Sequence, residues 1–111
     1  MTVIRQAAAP GNQSEAPPSA QIVELAATLD LMAAAPLAAE LLAARGAELL
    51  IDGSRVERLG GLCLQALLSA AATWRADGAR LALVDASPEM LEAFACFGVD
   101  PDDLDSRETR I

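Results

Sequence analysis

Two cysteines, one glycine pair and a few hydroxyls have the first claim to chemistry in these 111 residues, and there is no histidine. Its absence removes the commonest general base and metal ligand. Cys63 and Cys96 lie far apart, form no CxxC pair and match no familiar zinc-ligand spacing. A nucleophilic Cys63 would need an activator other than histidine; a helix start nearby can lower a thiol pKa. Both thiols sit inside apolar helical runs, so packing is the better account, and both are expected to be buried and reduced. Gly60-Gly61 precedes a helical pattern, where free N–H groups can hold an anion. Neither a Walker lysine nor a GxGxxG spacing accompanies the pair, and a tight turn or close backbone approach is its plainer use. Ser54, Ser69 and Thr28 are hydroxyls open to modification; Ser54 more simply bonds within its own turn. Arg55 and Arg58 can pair with a partner's acids, or with Glu57 and Asp52 at home. The residues imply no catalytic set, no metal and no cofactor.

The composition narrows the partners. The net charge of −8 repels phosphate backbones and anionic lipids, so nucleic acid and membrane surfaces are excluded in favour of simple solubility or a basic protein partner. Apolar residues make up 53% of the chain, mostly Ala and Leu, with two Phe, one Trp and no Tyr. That is enough for one domain with a thin core of small side chains. The first residues carry no long apolar run of a secretory signal, and no stretch has the length of a membrane span; Pro36 and Glu40 interrupt the best candidate. With reduced thiols, this points to the cytoplasm.

The elements that must position these groups follow from periodicity. Residues 1–20, rich in Pro, Gly and Ser, read as a disordered leader, with Thr2 to Arg5 as a possible edge strand. Residues 21–26 alternate as a strand. A helix is expected from 31 to 45, with Pro36 at its first position and Gly46 as its stop. Residues 48–52 are an apolar run suited to a strand buried on both faces. A polar connector, 53–59, reaches Gly60-Gly61, and a helix from 62 to 76 carries the stripe Leu64, Leu67, Leu68, Ala71 and Trp74. Trp74 is expected to pack at the end of that helix, or to stand half-exposed as an anchor. Residues 81–84 form the third strand. Ser87 caps a third helix with Pro88 at its first position, a stripe of Leu91, Phe94 and Ala95, and Gly98 as terminator. Residues 99–111 read as a frayed acidic end that is solvated or docks a basic partner. The β-α-β-α-β-α order requires an α/β fold with a small, largely parallel or mixed sheet and helices packed mainly on one side.

This order, with several segments, resembles the STAS (anti-sigma-factor-antagonist-like) domain family over about residues 21–100. Residues 26–37, from Ala26 through Thr28-Leu29-Asp30 to Pro36-Leu37, look like the family's first strand-turn-helix signature. Leu49-Leu50-Ile51-Asp52-Gly53-Ser54 looks like its central strand. Val56-Glu57-Arg58-Leu59-Gly60-Gly61-Leu62 lies where the family carries a V-x-x-(I/V)-D-(S/T)-(S/A)-G pattern. Asp77-Gly78 through Val84, Ser87-Pro88 and Phe97-Gly98-Val99 match the closing strand and helix. The resemblance implies a non-enzymatic regulatory domain in bacterial signalling that docks a protein partner, such as an anti-sigma-like kinase or a chemotaxis component. Its recognition surface would comprise Ser54, Arg55, Glu57, Arg58, Gly60, Gly61, Gln65 and Ser69. In phosphorylation-controlled members an aspartate and a hydroxyl open the second helix; here Gly60, Gly61 and Leu62 occupy those places, so no phosphate can be taken there. The variant looks closest to chemotaxis-associated STAS proteins. Two alternatives stand beside it: a structural STAS subunit of an ABC-type lipid transporter, and a nucleotide- or anion-binding module.

Overall fold

Short apolar runs supply the central sheet, and small-residue helices cover one of its faces. The computed structural model describes residues 3–6 and 21–105. Strands β1 (Val3–Gln6), β2 (Gln21–Glu24), β4 (Leu49–Asp52) and β6 (Leu81–Val84) form a four-stranded sheet in the order β1-β2-β4-β6. β2, β4 and β6 are parallel, with Val23 beside Ile51 and Ile51 beside Leu83; β1 is antiparallel to β2. The sheet is therefore mixed, within the largely parallel or mixed expectation, and β1 is the strand that makes it so. Two further strands, β3 (Thr28–Leu29) and β5 (Arg58–Leu59), pair in parallel outside the main sheet.

Alternation sorts the strand residues by face. Val23, Leu49, Ile51 and Leu81 are fully buried and join one core with Leu37, Leu67, Trp74 and Phe94 from the helices. Ile22, Leu50, Asp52 and Val84 point the other way and are half-buried, so β4 is sealed on one face rather than on both. The helices are α1 (Leu31–Ala43), α2 (Gly61–Ala76) and α3 (Pro88–Phe97).

The helix ends follow local chemistry. The Asp30 carboxylate accepts from the Ala33 N–H at 3.2 Å and starts α1, which puts Pro36 inside the helix instead of at its first position. The ring removes the N–H that would bond the Met32 carbonyl. Met32 is exposed, and water can serve that carbonyl instead. Ser87 caps α3, Pro88 follows it, and Gly98 closes the helix at φ +73°, where a side chain would be strained. The face of α3 differs from the expected stripe: Met90 and Phe94 are buried, while Leu91 and Ala95 are exposed. This ten-residue helix buries one i, i+4 pair and little more.

Both chain ends depart from the unstructured reading. Val3–Gln6 pair with β2, so part of the leader belongs to the sheet; residues 7–20 lie outside the described residues. A 3₁₀ turn at Pro101–Leu104 carries Leu104 into the core, so the acidic stretch is packed at least that far. The acids point outward while one leucine anchors the turn; residues 106–111 are likewise outside the described set.

Candidate functional site

The connector after β4 is built as a loop with one apolar peg. Asp52 turns the chain by accepting from the Ser54 N–H at 2.9 Å. The Gly53 carbonyl accepts from the Val56 and Ser87 N–H groups. Gly53 is buried, and a Cβ there would lie 2.5 Å from the Met90 sulfur, so a side chain at this position would force the buried Met90 to move. Val56 is the peg: it is 1% exposed, and its carbonyl accepts from the Ser87 hydroxyl. Ser54, Arg55, Glu57 and Arg58 all face solvent around it.

The small β3–β5 pair then sets two helix starts side by side. Glu57 and Arg58 N–H groups bond the Ala27 carbonyl, and the Gly60 N–H bonds the Leu29 carbonyl at 2.8 Å. α1 thus begins at Asp30-Leu31 beside the start of α2 at Gly60-Gly61. Gly60 supplies no side-chain cap. A Cβ on Gly60 would meet the Leu29 carbonyl oxygen at 3.3 Å, a tight fit, whereas one on Gly61 would rest 3.6 Å from the Phe97 ring, an ordinary contact. Phe97 is 47% exposed and Leu62 is 49% exposed, so this corner has an apolar surface.

Gln65 and Ser69 stand one turn apart on the exposed side of α2. They line a shallow groove of about 710 Å³ together with Ala34, Ala35, Ala38, Leu62 and Ala66. The groove continues into a narrower cleft of about 230 Å³ that reaches Leu42 and Trp74. Of the residues named from sequence, Gly61, Gln65 and Ser69 share α2 with Gly60 as its N-cap, while Ser54, Arg55, Glu57 and Arg58 lie on the connector and β5 that feed it; only Gln65 and Ser69 line the groove. Sequence reasoning missed the exposed Leu31, Met32 and Leu42 of α1. The available sign was a helix apolar on every side, with Glu40 as its one charge.

The thiols divide. Cys63 is buried, its Sγ donates to the Asp30 carbonyl at 3.3 Å, and burial first, then the Asp30 charge, raise its pKa above the ordinary thiol value. Cys96 is exposed, which corrects the expectation that both are buried; the helical run containing it turns only Met90 and Phe94 inward. In native protein at neutral pH, a disulfide reagent such as Ellman's is expected to modify Cys96 promptly and Cys63 only on unfolding. Two fast-reacting thiols in the folded protein, each confirmed by Cys→Ser substitution, would refute this assignment. Among the described residues no group of three or more acidic or thiol side chains is placed to hold a metal ion. Among them, too, no helix is long and apolar enough to cross a membrane.

A family model described as "Mlab, STAS domain" matches residues 12–104. No curated protein matches the chain.

Proposed function

From the premise that this chain belongs to the STAS domain family, whose members are regulatory and protein-interaction modules, we propose that it is a non-enzymatic docking domain in bacterial cytoplasmic signalling, in the manner of chemotaxis-associated or anti-sigma-antagonist STAS proteins. The observation that carries the reading is the corner where the charged connector, the bare Gly60-Gly61 backbone and the exposed Leu62 and Phe97 side chains meet. Arg55, Glu57 and Arg58 supply charge recognition. Gly60 and Gly61 let a partner's backbone approach, and Leu62 and Phe97 supply apolar area, the kind of anchor on which interfaces concentrate their energy. Gln65 and Ser69 extend the contact along α2.

The test is co-purification from the native cell. Gly61→Arg places a long cation over the Phe97 ring at a position with room for a side chain. It is expected to abolish capture of the partner while shifting the melting temperature little, since Gly61 is exposed. Retention of the partner at undiminished stoichiometry would overturn the docking reading.

One observation favours a second reading. With Gly60, Gly61 and Leu62 in the places of the family's acid and hydroxyls, the turn offers nothing to phosphorylate. A constitutive accessory subunit of an ABC-type ATPase assembly needs no such switch. Stoichiometric co-purification with an ATPase under every growth condition would select it over the signalling reading.

A further inference from the structure

A helix on the surface of a domain ordinarily turns charged residues to water. In α1 every exposed residue is apolar, in a chain that is 22% charged. Its single charge, Glu40, is half-buried. Leu31 is 70% exposed, Met32 81% and Leu42 61%, and the exposed Ala35, Ala39 and Ala43 lie among them. At about 100° per residue these six positions fall within an arc of about 120°, opposite the buried Leu37 and Leu41. Single exposed apolar side chains are ordinary on a protein surface, whereas a continuous apolar strip marks a contact.

We propose that this face of α1 is the interface of a symmetric homodimer, in which two copies of the helix pack antiparallel about a twofold axis at the level of Leu37. The contact goes beyond the docking reading and does not depend on it. Three observations select a second copy as the occupant. The first is the order of side-chain sizes along the helix. Two crossing helices come closest at one point and diverge on either side of it, so small side chains suit the crossing and large ones the ends. Alanines hold the middle of the strip, and Leu31, Met32 and Leu42 stand towards its ends. Reversal about Leu37 sets Met32 opposite Leu42, Ala35 opposite Ala39, and Leu31 opposite Ala43. The strip therefore complements itself, as a twofold contact requires. The second observation is charge. Two chains of −8 repel one another, and this strip lets them meet without pressing carboxylates together. The antiparallel alignment also turns Asp30, the cap of each helix, towards Arg45 just past the end of the other. The third is area. With Leu62, 49% exposed on the neighbouring α2, the strip offers on the order of 700 Å² per copy, within the roughly 600–1,000 Å² per partner of stable interfaces.

Sedimentation equilibrium on the intact chain tests the proposal. It is expected to show monomer and dimer in exchange, with a dissociation constant in about the micromolar range. Raising the salt from about 50 to about 500 mM should tighten the dimer, because it screens the repulsion between two acidic chains and leaves the apolar contact in place. Ala35→Arg and Ala39→Glu, both at exposed helical positions, should each weaken self-association by roughly tenfold or more, since each buries an unpaired charge. Neither should lower the melting temperature of the monomer. Mixed in equal amounts, the two variants should recover a heterodimer, because the register sets position 35 of one copy against position 39 of the other. A chain that stays monomeric up to about 1 mM would overturn the proposal. So would a dimer that both substitutions leave intact, or one that salt dissociates. Failure of the mixed variants to associate, with each shown to be folded by circular dichroism, would overturn the antiparallel packing.

Discussion

Replacing Trp74 with alanine is expected to lower the unfolding free energy by about 4 kcal/mol, within the range for removing a large aromatic side chain from a core. The indole is 1% exposed at the end of α2, and its N–H donates to the Ala47 carbonyl at 2.8 Å. With Phe94 it is one of two large aromatic side chains in a core whose other members are mostly small and aliphatic, and it ties α2 to the chain entering β4. Domains of this size have total stabilities of roughly 5–15 kcal/mol, so the loss is a large fraction of the total. Trp74→Phe separates the two contributions. It keeps most of the apolar volume but leaves the Ala47 carbonyl without its donor, and is expected to cost about 1–2 kcal/mol. Urea unfolding followed by circular dichroism measures both. Equal losses for the two variants would show that the hydrogen bond, and not the packing, is the main contribution.

The second large effect is expected at Ser87, and it should reach the recognition surface without touching it. Ser87 is 6% exposed; its hydroxyl accepts from the Met90 N–H and donates to the Val56 carbonyl, and its own N–H bonds the Gly53 carbonyl. Ser87→Ala removes the cap of α3 and leaves the buried Val56 carbonyl without a partner. The combined loss is expected to be about 2–3 kcal/mol. Val56 is the peg that holds the connector, so Ser54, Arg55, Glu57 and Arg58 should lose their fixed presentation. Partner affinity should therefore fall although Ser87 is buried beneath the proposed interface. Comparison with Ser87→Thr, which keeps a hydroxyl, isolates the hydrogen bonds from the packing. Unchanged affinity in Ser87→Ala at a temperature where the domain is folded would show that the loop is held by other contacts.

Parts of this architecture are legible residue by residue, and the reason is locality. The Ser87-Pro88 start and Gly98 stop of α3 depend on neighbours three or four residues away, so the sequence carries them in full. The β2, β4 and β6 runs are short and apolar, and their alternation with helical patterns forces parallel pairing. The burial of Leu64, Leu67, Ala71 and Trp74 follows from spacing along one helix. Pro36 shows the limit of a local rule: the Asp30 cap, five residues upstream of the last residue before the proline, sets the start of α1 and overrides the preference of proline for a first position.

Composition and periodicity by themselves determined the α/β class, the order of the helices, the acidic character and the absence of histidine chemistry, because each is a property of residue types or of near neighbours. Only tertiary structure decided that Thr28–Leu29 and Arg58–Leu59 pair, that Val3–Gln6 join the sheet edge, and that Leu104 anchors the acidic stretch. It alone separated Cys63 from Cys96 and left the outer sides of α1 and α2 uncovered. These are contacts between residues distant in the chain, and which face of an apolar helix meets another element is a matter of packing that no local pattern encodes.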